Sequence, residues 1–137
     1  MHVKSPYYQA LTEDECLEML RRHSLGRLAI EVDGQPDIFP VNYAMDGDRI
    51  VFRSGPGTKL DHASLNRVAF EIDEFDEDHQ SACSVVVKGT GREFSEAIDP
   101  RSENERQLAL ATWMPSDGMS WIRIVPHEIS GRQILSS

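Results

Sequence analysis

One short segment concentrates groups that can hold an anion: Arg53, Ser54, Gly55, Pro56, Gly57, Thr58 and Lys59. A guanidinium presents a two-pronged fork to phosphate oxygens, and an ammonium adds a point charge. Ser54 and Thr58 add hydroxyls, and the glycines let backbone approach a ligand closely. A helix starting at Thr58 would also offer its first free N–H groups to an anion. The G-x-x-x-x-G-K-[ST] spacing of a Walker loop is absent. On local chemistry alone, an anion site and an ordinary polar turn with a helix cap explain the segment equally well.

Other candidates are weaker by themselves. In Pro40-Val41-Asn42-Tyr43 a proline interrupts a strand, which leaves backbone groups for a planar polar ring, and Asn42 can donate and accept. An edge strand whose Asn42 meets water is the plainer reading of the same residues. Trp113 and Trp121 could supply flat apolar walls with one donor each; core or dimer-contact positions suit them equally well. The five histidines are scattered. None has a metal-ligand spacing such as H-E-x-x-H, so no metal is expected. His62, about one turn after Thr58 and Lys59, is best read as a surface residue. Cys16 and Cys83 are far apart and read as buried free thiols. No nucleophile elbow, G-x-G-x-x-G or paired-carboxylate motif has supporting context, so no catalytic residue can be named. A bound cofactor carrying the chemistry fits that lack.

Charge sharpens the interest of the basic segment. The chain carries 14 basic and 23 acidic residues, a net charge of −9. Neither nucleic acid nor an anionic membrane is an expected partner of such a chain, because phosphate contacts dominate those affinities. An anionic ligand must therefore be held by a local basic spot. Apolar runs are too short to span a bilayer, and Met1–Pro6 lacks a signal-peptide core, so a cytoplasmic location is expected.

The elements that must position these groups follow from period and punctuation. Thr12-Glu13-Asp14-Glu15 is a capping box, and Cys16 to Leu20 is apolar before Arg21, Arg22 and His23, which gives a helix over about 13–23. Leu28–Val32, Asp37–Ala44 and Arg49–Arg53 read as an antiparallel meander, with Asp33-Gly34 as a hairpin turn and Asp46-Gly47-Asp48 as the next. Pro40 implies an edge or a bulge. A short helix from Thr58 to about Leu65 is expected, then a strand at Val68–Asp73, an acidic loop at Glu74–Gln80 and a strand at Ser84–Phe94. Gly89 and Gly91 suggest bulges there. Pro100–Thr112 reads as a helix capped by Asp99. Ser120–Pro126 is a sixth strand that continues past a proline kink to Arg132. Six strands with peripheral helices and consecutive hairpins give a mainly β class, an antiparallel barrel rather than a βαβ sheet, in one domain over 1–137.

The ordered set of segments resembles the pyridoxamine 5'-phosphate oxidase-like flavoproteins, in particular the small bacterial branch that includes nitroimidazole-resistance proteins. The resemblance rests on Leu25–Ala29, Phe39–Tyr43, Ile50–Ser54, Gly57–Leu60, Val68–Asp73, Ser84–Gly89 and Ile129–Arg132, in order over roughly 11–134. It implies a six-stranded split barrel of the FMN-binding type and a homodimer with the cofactor at the interface. By that analogy Arg53, Ser54, Thr58 and Lys59 hold the FMN phosphate. Val41, Asn42 and Tyr43 lie along the flavin ring, largely through backbone, and Trp121 borders the site. The implied activity is an FMN-dependent oxidoreductase acting on an unidentified small molecule. The alternative is a non-catalytic protein that binds or senses a flavin, a deazaflavin coenzyme or haem. The arginine-rich C-terminal signature of pyridoxamine phosphate oxidases is not found here, so vitamin B6 oxidation is not expected.

Overall fold

The structure, a computed structural model, describes residues 8–54, 63–94 and 120–135. The elements are β1 (Tyr8–Ala10), α1 (Glu13–Arg22), β2 (Leu25–Val32), β3 (Gln35–Asn42), β4 (Ala44–Asp46), β5 (Arg49–Ser54), β6 (Ala63–Asp76), β7 (Ser81–Phe94) and β8 (Ser120–Leu135). All strand pairs are antiparallel, and the strand order is β3-β2-β6-β7-β8-β5-β4, with β1 added beside the end of β8. The sheet curls into a split barrel around a core that includes Leu28, Ile30, Ile50, Phe52, Phe70, Ile72, Val85, Val87, Ile122 and Ile124. Among the described residues no helix is long and apolar enough to cross a membrane.

Local chemistry accounts for the elements. At the start of α1 the Glu15 N–H donates to Thr12 Oγ1 at 3.1 Å, and the Thr12 N–H donates to Glu15 Oε1 at 2.8 Å. That reciprocal pair satisfies two donors the helix leaves open. The buried face of α1 is Cys16, Met19 and Leu20. Asp33 and Gly34, at φ 50° and 80°, make the two-residue turn between β2 and β3, as both central residues of a type I′ hairpin require. Pro40 is tolerated because β3 has a partner only on its β2 side. At Gly89 a side chain is excluded outright: a Cβ there would stand 2.2 Å from the Val125 carbonyl oxygen. The β7–β8 register shifts between Lys88 and Gly89, opposite the proline of β8.

The six expected strands are all present, with two short additions. β1 is too short to show a period. β4 is separate from β3: the Tyr43 N–H still donates to the Ser24 carbonyl at 2.9 Å, in register with the β2–β3 ladder, and from Ala44 the chain pairs with Val51 of β5 instead. Three expectations need correction. Residues 63–65, expected at the end of a helix, are the first residues of β6; the rest of that helix, including Thr58, Lys59 and His62, lies outside the described residues. The acidic loop is shorter than expected, since β6 runs on to Asp76 and pairs with β7 up to Ser81. Cys83 is half-buried rather than buried, while Cys16 is fully buried. The helix expected at Pro100–Thr112 and Trp113 also lie outside the described residues.

Candidate functional site

Alternation along β5 and β8 sorts their side chains onto two faces. Ile50, Phe52, Ile122 and Ile124 enter the core. Arg49, Val51, Arg53, Trp121 and Arg123 share the opposite, outer face, where Val51 and Trp121 form a small apolar cluster of their own. In the ladder Arg53 faces Trp121, and Val51 faces Arg123. Arg53 and Arg123 are nonetheless buried, at 4% and 8% exposure. The Arg53 guanidinium carbon lies 5.2 Å from the Trp121 ring centroid, within cation–π range. Arg49 sits one step along β5, 3.8 Å from Asp48, and its buried Nε has no hydrogen-bond partner among the described residues. On β7, Arg92 stands directly across from Arg123 and is exposed.

The same corner receives the second sequence segment. Asn42 is the last residue of β3, paired with Leu25, and two residues later Ala44 pairs with Val51 of β5. β3 and β5 accordingly approach each other, and this is where the two edges of the open sheet meet. Asn42 is buried at 8% exposure. Val41 and Tyr43, on either side of it, belong to the core cluster. The Tyr43 hydroxyl donates to the Leu20 carbonyl at 2.7 Å, and its ring meets Phe70 edge-on at 4.9 Å. Burial pushes the Tyr43 phenol well above its ordinary value, so it holds its proton at neutral pH.

The structure thus brings together Arg53 and Trp121, with Ser54 at the end of β5 opposite Ser120, and Asn42 ends β3, which approaches β5. Val41 and Tyr43 reach the corner by backbone, their side chains being committed to the core. Thr58 and Lys59 lie outside the described residues. Sequence reasoning missed Arg123 and Arg49. The signal for Arg123 was available: a guanidinium inside the apolar run Trp121-Ile122-Arg123-Ile124-Val125 must either face outward or be buried with an acceptor.

A second polar cluster lies at the C-terminal end of α1. Glu74 Oε2 accepts from Arg22 Nη2 at 2.9 Å and Nε at 3.3 Å, and contacts His23 Nε2 at 2.5 Å. Burial pushes the Glu74 carboxyl up, but hydrogen bonds from His23 and Arg22, with their charges, hold it below its ordinary value. This cluster ties the helix to β6. Farther along, Arg27 bridges Glu71, at 2.7 Å, and Asp73 on the outer face.

The planar forks of Arg53 and Arg123 are of a kind that matches phosphate oxygens. A curled antiparallel sheet closed around one core defines the molecule as a split-barrel protein. The chain belongs to the pyridoxamine 5'-phosphate oxidase family, whose model matches residues 12–133. It is 32% identical over 130 residues to an uncharacterised protein of Rhizobium meliloti (strain 1021), covering 91% of this chain and 83% of that one. Its fold is similar to that of an FAD-binding protein from Mycobacterium smegmatis, with a TM-score of 0.82, 30% identity, and coverage of 94% of this chain and 100% of the other. It is also similar to an FAD-binding protein from Mesorhizobium loti, with a TM-score of 0.77, 27% identity, and coverage of 95% and 99%.

Proposed function

We propose that the chain is a flavin-dependent oxidoreductase that binds FMN at the Arg53 corner and acts on a small molecule. The observation that carries this reading is the buried pair Arg53 and Arg123 on the outer face of a sheet in a chain of net charge −9. Arg53 and Arg123, with Lys59 and the hydroxyls of Ser54 and Thr58, would hold the phosphate. Asn42 and the backbone of Val41 and Tyr43 would line the ring, and Trp121 would close one side. A bound flavin supplies hydride or electron transfer; the protein supplies position, polarity and exclusion of water. The same reading takes the working form as a cytoplasmic homodimer with the cofactor at the subunit interface.

FAD is the second reading. Two structural relatives are described as FAD-binding proteins. Arg92, opposite Arg123, adds a further positive charge to this face. The test is reconstitution of the purified chain with FMN, FAD, a deazaflavin coenzyme and haem in turn, followed by visible spectra and titration. Saturable binding of FMN, tightest of the four, supports the proposal, and tighter FAD binding moves the reading to the dinucleotide. Binding without turnover of any supplied reductant favours a storage or sensing role. No flavin binding removes the reading.

A further inference from the structure

Two of the exposed large apolar side chains stand in one row on the outer face. Phe75 on β6 is 69% exposed and Ile134 on β8 is 49% exposed. Phe75 pairs with Ala82, Ala82 with Ile134, and Ile134 with Tyr8, so the row crosses β6, β7, β8 and β1. Single apolar residues on a surface are ordinary, whereas a contiguous group marks a contact. The short side chains of Ala82 and Ser84, on β7 between the larger ones, line a cavity of about 280 Å³ together with Phe75, Arg132 and Ile134. Large side chains of a facing surface can enter it.

The neighbouring row decides what that surface is. It runs Asp73, Ser84, Arg132 across the same three strands. On the β6 side Arg27 is shared by Glu71 and Asp73, so one cation serves two carboxylates and a negative charge is left over. On the β8 side Arg132 has no carboxylate partner among the described residues; its guanidinium carbon lies 5.6 Å from the Tyr8 ring centroid. The face is therefore negative on one side of β7, positive on the other, and apolar across its end. A twofold axis lying along β7 sets β6 of one copy over β8 of the other. Asp73 then meets the partner's Arg132 and Phe75 meets the partner's Ile134, each contact occurring in both directions, with Ala82 and Ser84 at the axis. A surface that is complementary to itself under a twofold rotation is what an isologous contact requires.

We propose that a second copy of this chain covers the Phe75–Ile134 row, through a twofold contact between the outer faces of β6, β7 and β8. The contact is separate from the Arg53 corner and does not depend on flavin, since Trp121 and Ile134 are about 40 Å apart along β8. A few residues on three strands make a smaller patch than the roughly 800 Å² per partner of a stable interface, so the association is weak and reversible.

Sedimentation velocity of the full chain, over about a hundredfold range of concentration, reads this step. The mass is expected to rise reversibly by a factor of two. Phe75→Asp should raise the dissociation constant of the step by at least about tenfold, and Ile134→Asn reads the same face if Phe75→Asp does not fold. Arg132→Glu should weaken the step by about fivefold because it sets like charges face to face, and Asp73→Arg should do the same. The chain carrying both reversals should recover to within about twofold of the unchanged one. Arg53→Met, at the corner, should leave the step as it is. A mass that does not rise with concentration, a step insensitive to the loss of Phe75 and Ile134, or charge reversals that add rather than cancel in folded chains overturns the proposal.

Discussion

Replacing Arg53 by methionine isolates what its charge does. The side chain is 4% exposed, so solvent does not screen a hydrogen bond it makes to a phosphate. A hydrogen bond to a charged group contributes about 1.5–3 kcal/mol, which at 1.4 kcal/mol per decade is a roughly 10- to 140-fold loss of flavin affinity. The contact with Trp121, at 5.2 Å, is replaced in part by a sulfur–aromatic contact. Exchanging a buried charge for an apolar side chain of similar length is often close to neutral for folding. The melting temperature should therefore move by no more than about 4 °C. The assay is flavin fluorescence quenching on titration, with a thermal melt of the same sample. A dissociation constant within about twofold of the unchanged protein, with the fold intact, would refute the assignment of Arg53 to the phosphate. If Arg53→Met does not fold, Arg53→Lys decides: it keeps the charge but loses the fork, and should bind flavin with intermediate affinity.

Three further substitutions test the fold that holds the corner. Gly89→Ala would bring a Cβ to 2.2 Å from the Val125 carbonyl oxygen, and its nearest neighbours are all β8 backbone, which leaves little room to yield; a loss of about 3 kcal/mol in urea unfolding is expected, and an unchanged midpoint would contradict the packing. Tyr43→Phe removes the bond to the Leu20 carbonyl and should cost about 1–2 kcal/mol by the same measurement. The Glu74 carboxyl is held below its ordinary value of 4.5 in the folded chain, so its ionisation stabilises the fold. That stability is fully present above the ordinary value and disappears as pH falls through the lowered one. The gap in melting temperature between the unchanged chain and Glu74→Gln should thus be open at neutral pH and close on acidification below about pH 4.5; a gap that widens in acid would refute the sign.

Much of the fold was legible because local chemistry agreed with tertiary context. The capping box at Thr12, the Asp33-Gly34 turn and the edge position of Pro40 each follow from one residue's geometry. Where prediction failed, packing overrode local signals. Ala63–Leu65 looked like the tail of a helix begun at Thr58, but pairing with β2 at Glu31 and Val32 draws these residues into β6. The turn after β6 looked long because acidic residues are poor strand formers, yet the β6–β7 ladder carries Glu74 to Asp76 with it. At the site, Arg53 and Asn42 were legible as donors, but their meeting was not. It depends on the chain passing from β2 to β5 after Tyr43, and no spacing in the sequence states that. Arg123 was missed for a related reason: its partner position, opposite Val51, exists only once β8 is placed beside β5.

Tyr43 links the fold to the site. Its hydroxyl is anchored to the last turn of α1, its N–H to the Ser24 carbonyl just beyond that helix, and its ring against Phe70 in the core. Asn42, beside it, is held both by its pairing with Leu25 and by these anchors of Tyr43. The corner consequently requires the two edges of the sheet to be closed together, with β4 on β5 and β3 held at Tyr43. An anion bridging Arg53 and Asn42 would bind the closed state and not the open one, so by mass action it must stabilise closure by RT ln(1 + [L]/Kd). If an anion binds there, its binding and the cohesion of the barrel's open seam are coupled, and a substitution that loosens Tyr43 would weaken it even though the Tyr43 side chain is committed to the core.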